Sequence, residues 1–349
     1  MDRDCQIQVA VPAVHGHRTG VDIMRVWFSF GVVLAHFWHE PFGSDVVMDI
    51  FARSTQLRMA TFMFVSFLLT GPSLCDTSVN RDKIVRRLWR LALPIVMWAV
   101  IYFAVLWVAH GGMPVSSLWW QLFTGHSYNK AMWFLNNILY LTLLFAPILL
   151  MHDRILKTAI FAVLTVVPLA LEYTGAEQAL IDGLRDEIKY PLGRLVEMMP
   201  YVSLPLLLCV TGVMSRLRDN PLRGLVLLLP AAAVAYIWLA PGWSGVYALT
   251  AGGLPLLIKT MMVSLMIYFL PGRIIPAVLR RMLAAVARYG MGIYCVHLLV
   301  GHVFFDTMAG AVGLRPGSFS GCVALYIVSL ALCVAISRIP SRLCRNIVM

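Results

Sequence analysis

Apolar stretches of about 20 residues recur along this chain, and a helix of that length crosses the ~30 Å hydrocarbon core of a bilayer. Cutting wherever charges, Pro and Gly interrupt them gives ten spans, at about 21–39, 57–75, 91–110, 131–151, 156–173, 196–215, 222–240, 246–270, 283–307 and 319–337. In lipid every backbone N–H and C=O must find a partner within the chain, so such spans fold as helices. The expected fold is an all-α polytopic membrane protein of about ten transmembrane helices. Composition excludes the soluble alternative: 60% of the 349 residues are hydrophobic and 13% charged, against roughly 45–50% and 25% in soluble domains.

The formal charge of +11 would suggest nucleic acid as a partner in a soluble chain, but here it reads first as topology. The connecting segments sort the 28 Lys and Arg. Nineteen fall on one side, including Arg81, Lys83, Arg86, Arg87, Arg90, Arg280, Arg281 and Arg342. Seven fall on the other, including Lys130, Lys189 and Arg194, with Arg25 and Lys259 left inside spans. The positive-inside rule then puts both termini in the cytoplasm, and no nucleic acid partner is expected. Residues 1–20 are predicted to be a cytoplasmic segment, 21–337 one ten-helix membrane domain, and 338–349 a cytoplasmic basic tail. The largest outside segment, about 174–195, reads as a short amphipathic cap. The seven cysteines include no CxxC pair, so neither a disulfide scaffold nor a metal site is expected.

Ionisable side chains inside a span are costly, so each is a candidate functional residue. The first span carries three. At 100° per residue, Arg25 and His36 fall about 20° apart around the helix and Asp22 about 40° from His36, so all three share one face. The rise from Arg25 to His36 is about 16 Å, which runs this polar stripe from one boundary into the membrane interior. His39 and Glu40 follow at once and suggest a hydrated mouth on the far side. The plainer alternative is an interfacial Asp22–Arg25 pair with a packed core histidine. Before the third span, Arg86, Arg87 and Arg90 belong to a run of five cations in ten residues that suits an anion such as phosphate; ordinary topology signalling explains it equally well. In the ninth span Tyr294 and His297, three residues apart, put a phenol and an imidazole on one face, for catalysis or for helix packing. Trp133 and Asn136, at the start of the fourth span, are candidates for a sugar-binding mouth, against an aromatic belt and a helix–helix hydrogen bond.

In order and content these features resemble the acyltransferase-3 family of integral membrane O-acyltransferases, over nearly the whole chain. The family's first-span Arg, ten residues, then His is similar to Arg25 through His36. Its RxxR is similar to Arg87-Leu88-Trp89-Arg90, its WFL to Trp133-Phe134-Leu135, and its late GIYxxH to Gly292-Ile293-Tyr294-Cys295-Val296-His297. One departure is Phe64-Val65-Ser66-Phe67, where the family commonly has a Ser-Gly pair after an aromatic run. The chain is similar to the stand-alone form without a fused extracytoplasmic domain.

The resemblance implies a cytoplasmic acyl-CoA donor, usually acetyl-CoA, with no permanently bound cofactor. It implies a glycan or lipid-linked sugar acceptor, a bacterial plasma-membrane location in the lipid bilayer, and envelope polysaccharide assembly proteins as possible partners. Arg86, Arg87 and Arg90 would hold the donor's phosphates. Asp22 and Arg25 would set the site's electrostatics, and Tyr294 and His297 would serve near the thioester. His36 would act as general base on the acceptor hydroxyl, or would first carry the acyl group itself. The rival reading is a transporter or flippase for an envelope glycan or small anion, since polar stripes also line transport pathways.

Overall fold

A computed structural model describes residues 17–38, 58–74, 81–112, 114–125, 129, 131–176, 182, 184, 186–219, 253–303 and 317–348. Its helices are α1 (His17–Phe37), α2 (Arg58–Leu74), α3 (Arg81–His110), α4 (Val115–Thr124), α5 (Trp133–Leu150), α6 (Arg154–Thr174), α7 (Asp186–Met198), α8 (Pro200–Val210), α9 (Val213–Asp219), α10 (Gly253–Phe269), α11 (Ala277–Ala287), α12 (Gly290–Val303), α13 (Phe319–Arg338) and α14 (Arg342–Val348). No strand occurs among the described residues. Among the described residues six segments are long and apolar enough to cross a membrane, and α11 with α12 makes a seventh if that bent pair counts as one span. The protein is a multi-pass integral membrane protein. The span expected at 222–240 lies outside the described residues.

α1 is the hub of the bundle and packs against α2, α10, α11, α12 and α13. Its polar stripe explains the position: a helix carrying ionisable groups is surrounded by protein, because lipid offers such groups no partners. α1 and α12 run parallel. Gly290 opens α12 against the backbone of Arg25, and Gly301, eleven residues on, meets the ring of Phe37.

Three local features depart from the sequence expectation. The arginine run is the first third of α3 itself, a 30-residue helix, with Ile84 and Leu91 buried on one face and Arg81, Lys83, Arg86 and Arg90 exposed on the other. The ninth span, expected to start near 283, begins at Gly290. A bend of 58° separates it from α11, whose Val278, Leu279, Arg280, Arg281 and Met282 are all exposed. The helix α4 was not expected at all. Its aromatic residues Trp119, Trp120 and Phe123 are exposed while its Gln121 is buried, the reverse of a soluble amphipathic helix. Gln121 pins the following loop by exchanging two bonds with Asn129, each 3.0 Å. Gly125 then ends α4 at φ 66°, so close to α5 that a Cβ there would lie 2.5 Å from the Trp133 nitrogen.

At its end the chain folds back inward. Ile347 and Val348 of α14 are buried, and the Trp98 indole N–H of α3 donates to the Ile347 carbonyl at 2.9 Å. Gly292 makes this docking possible, since a Cβ there would stand 2.7 Å from the Val348 oxygen and 2.9 Å from Cys333 Sγ.

Candidate active site

The arginine end is organised around Arg87. Its Nη2 donates to Ser66 Oγ and its Nη1 to Thr70 Oγ1, both at 3.1 Å, its Nε donates to Thr142 Oγ1 at 3.4 Å, and its guanidinium lies 4.4 Å from the centre of the Phe67 ring. Every one of these partners is neutral. The hydroxyls come from α2 and α5, so one arginine ties three helices together. Ser66, at the point where the chain departs from the family pattern, is one of them. Arg90 is exposed and acts electrostatically on both Arg87 and Arg25, while Asp22 acts on Arg25 with the opposite sign. The structure thus brings Asp22, Arg25, Arg87 and Arg90 to one end of the bundle. Arg86 is exposed on another part of the same turn, with its Nε donating to the Asp82 carbonyl at 3.2 Å.

A small cavity, about 390 Å³ only when the open solvent at its mouth is counted, is lined on α1 by Arg25, Phe28, Ser29 and Val32. Phe62 of α2, Phe134 of α5 and Met291 and Tyr294 of α12 supply its other walls. Between Arg25 and Tyr294 the lining is apolar except for Ser29, whose hydroxyl lies 3.0 Å from that of Tyr326. Val32 and Tyr294, at the inner limit, stand one helical turn before His36 and His297.

These two histidines, 261 positions apart in sequence, face each other with ring centres 5.2 Å apart. His297 is fully buried, and its Nδ1–H donates to the Tyr294 carbonyl at 2.8 Å with a longer contact to that of Ile293. That bond leaves Nε2 as the lone-pair nitrogen, and Nε2 has no hydrogen-bond partner among the described residues. A buried acceptor left without a donor is uncommon in a native interior, where the desolvation cost of such a group is about 1–3 kcal/mol. The Tyr294 hydroxyl donates to the Ala131 carbonyl, which anchors α12 to the start of α5.

At the opposite end, Trp133 is half-buried beneath Arg194, whose guanidinium lies 5.4 Å from the ring centre. Asn136 is buried and its Nδ2 donates to the Leu122 carbonyl of α4 at 2.7 Å, so this amide serves helix packing. His39 and Glu40 lie outside the described residues. Sequence reasoning missed Ser66, Thr70 and Thr142 as partners of Arg87, and Arg194 as the partner of Trp133. Nothing in local spacing could have joined residues so far apart.

No curated protein and no solved structure matched the chain. The family model for acyltransferase-3, described as an acyltransferase domain, matches residues 18–338, from the first turn of α1 to the last residue of α13. The chain therefore belongs to the acyltransferase-3 family and is a membrane acyltransferase.

Proposed function

We propose that the protein moves an acetyl group from cytoplasmic acetyl-CoA to a hydroxyl of a cell-surface or lipid-linked glycan, with His36 as general base. The observation that carries the reading is the cavity along α1, which begins at Arg25, on which Asp22 and Arg90 act electrostatically, and stops one turn short of the His36–His297 pair. Coenzyme A is an anion with a long thin arm. Its phosphates suit the Arg87 and Arg90 end, and its thioester arm suits an apolar channel.

In the reaction, the acceptor oxygen attacks the thioester carbon as His36 takes its proton. The C–S bond breaks, and the proton passes to the departing thiolate of coenzyme A. His297, fixed by its bond to the Tyr294 carbonyl, offers Nε2 to hold the His36 ring or the acceptor hydroxyl in place. General base catalysis of this kind is typically worth about 10²–10⁴-fold in rate.

The same reading keeps ten spans with both termini in the cytoplasm, in a bacterial plasma membrane, and with the 21–337 region as one domain. It is supported by the parallel course of α1 and α12, since two spans running the same way are separated by an odd number of spans. The test is His36→Ala in purified protein: acetyl-CoA still binds, but acceptor-dependent release of free thiol is lost. Release at the wild-type rate would remove His36 from the chemistry.

A further inference from the structure

The end of the bundle opposite Arg87 holds a second polar cluster that the reaction above does not yet use. Arg194 covers Trp133, and its Nη1 donates to Glu197 Oε2 at 2.6 Å. The two charged side chains are 38% and 35% exposed, so the pair sits at an open rim. Glu172, held by the backbone N–H of Gly253, and Tyr201 lie within electrostatic reach of Glu197. One turn beyond Trp133 on the same face of α5 is Asn137, 2% exposed, whose Nδ2 has no hydrogen-bond partner among the described residues.

We propose that Trp133, Arg194, Glu197 and Asn137 form the subsite for the acceptor, and that it takes a neutral hydroxyl-bearing ring such as a hexose residue. The proposal rests on the acyl-transfer reading given above. Charge decides the ligand class. Arg194 is matched by Glu197, so the pair carries no net charge with which to attract an anion. The hydroxyls of such a ring suit both kinds of group, since a hydroxyl can donate to the Glu197 carboxylate or accept from the unpartnered Asn137 amide. The indole of Trp133 provides the apolar flank that a sugar ring's C–H face packs against.

The cluster is also connected to the chemistry. Ring centres step from Trp133 to Phe134 (5.9 Å), to Tyr294 (5.9 Å), to His297 (6.2 Å) and to His36 (5.2 Å). Phe134 and Tyr294 are walls of the α1 cavity. Packed rings therefore join Trp133 to the imidazoles, and two of them also wall the cavity proposed for the donor.

The test uses purified full-length protein with acetyl-CoA and two probe sets of equal length, neutral hexose oligomers and uronic acid oligomers. It reads acceptor-dependent thiol release and, separately, acetyl-CoA binding. Wild-type protein should use the neutral set in preference. Glu197→Gln and Asn137→Leu should each raise the acceptor KM by about tenfold, as expected when one buried polar contact to the ligand is lost, with acetyl-CoA affinity unchanged. Asn137→Leu keeps the branching of the side chain and removes the unpartnered amide, and a thermal transition in detergent verifies that the variant folds. Trp133→Phe supplies a second folded variant with the same expected direction. If the wild type releases thiol with neutral oligomers but all three variants keep its acceptor KM, the proposal falls and the cluster is a helix tether. A preference for the uronic acid set would also overturn it. If no oligomer releases thiol from wild-type protein, the acyl-transfer reading to a glycan fails first, and the subsite fails with it.

Discussion

Arg87 and Arg194 are both arginines set against aromatic rings, and they are held in opposite ways. Arg87 spends its donors on three hydroxyls and lies over Phe67, so its full positive charge stays unmatched by any of these partners. Arg194 gives its charge to Glu197 at 2.6 Å and only then stacks on Trp133. A cation kept among neutral dipoles still attracts an anion, whereas one paired to a carboxylate acts as a rigid hydrogen-bonding plate. The difference is what the proposed reading uses to assign the two ends: a phosphate-bearing donor at Arg87, a neutral acceptor at Arg194.

The comparison can be broken most sharply between the two ends. His36→Ala should lower acceptor-dependent thiol release by about 10²–10⁴-fold while leaving substrate binding at either end nearly intact. Next in size, Arg87→Gln should weaken acetyl-CoA binding about tenfold or more, a loss typical of a charge-assisted phosphate contact. The fold should survive that change, because Thr70 and Thr142 already donate to the carbonyls of Ser66 and Ile138 at 2.8 and 2.7 Å. Arg194→Gln should leave acetyl-CoA affinity untouched, and an equal loss at both arginines, seen by titration calorimetry, would erase the distinction.

Smaller effects test the frame that holds the ends apart. Gly292→Ala must push Val348 or Cys333 aside, and overpacking of this kind costs about 1–3 kcal/mol, visible as a lowered thermal midpoint. Asn136→Ala removes one bond between α5 and the Leu122 carbonyl and should cost about 1 kcal/mol of stability with no change in acceptor KM.

Much of the interior was legible in the sequence because helical periodicity is a local rule. Spacing alone put Asp22, Arg25 and His36 on one face, and Tyr294 with His297 on another. It did not reveal that the two faces meet, since contact between helices 261 residues apart depends on packing that no local pattern encodes. The α4 helix escaped notice for a different reason. With Trp119, Trp120 and Phe123 outward and Gln121 inward, its pattern answers to a lipid interface rather than to water, and the usual reading of polar residues as surface inverts. Arg87 was read as a phosphate ligand from charge density, yet the hydroxyls that hold it come from α2 and α5, where Ser66 looked like a departure from the family pattern instead of a partner.

The most direct test of the account is single-turnover transfer with radiolabelled acetyl-CoA and a neutral hexose oligomer, comparing wild type, His36→Ala and His297→Ala. The account predicts label on the oligomer with wild type, transfer slowed about 10²–10⁴-fold with His36→Ala, and more modestly slowed transfer at unchanged acetyl-CoA affinity with His297→Ala. Label transferred by His36→Ala at the wild-type rate would contradict it.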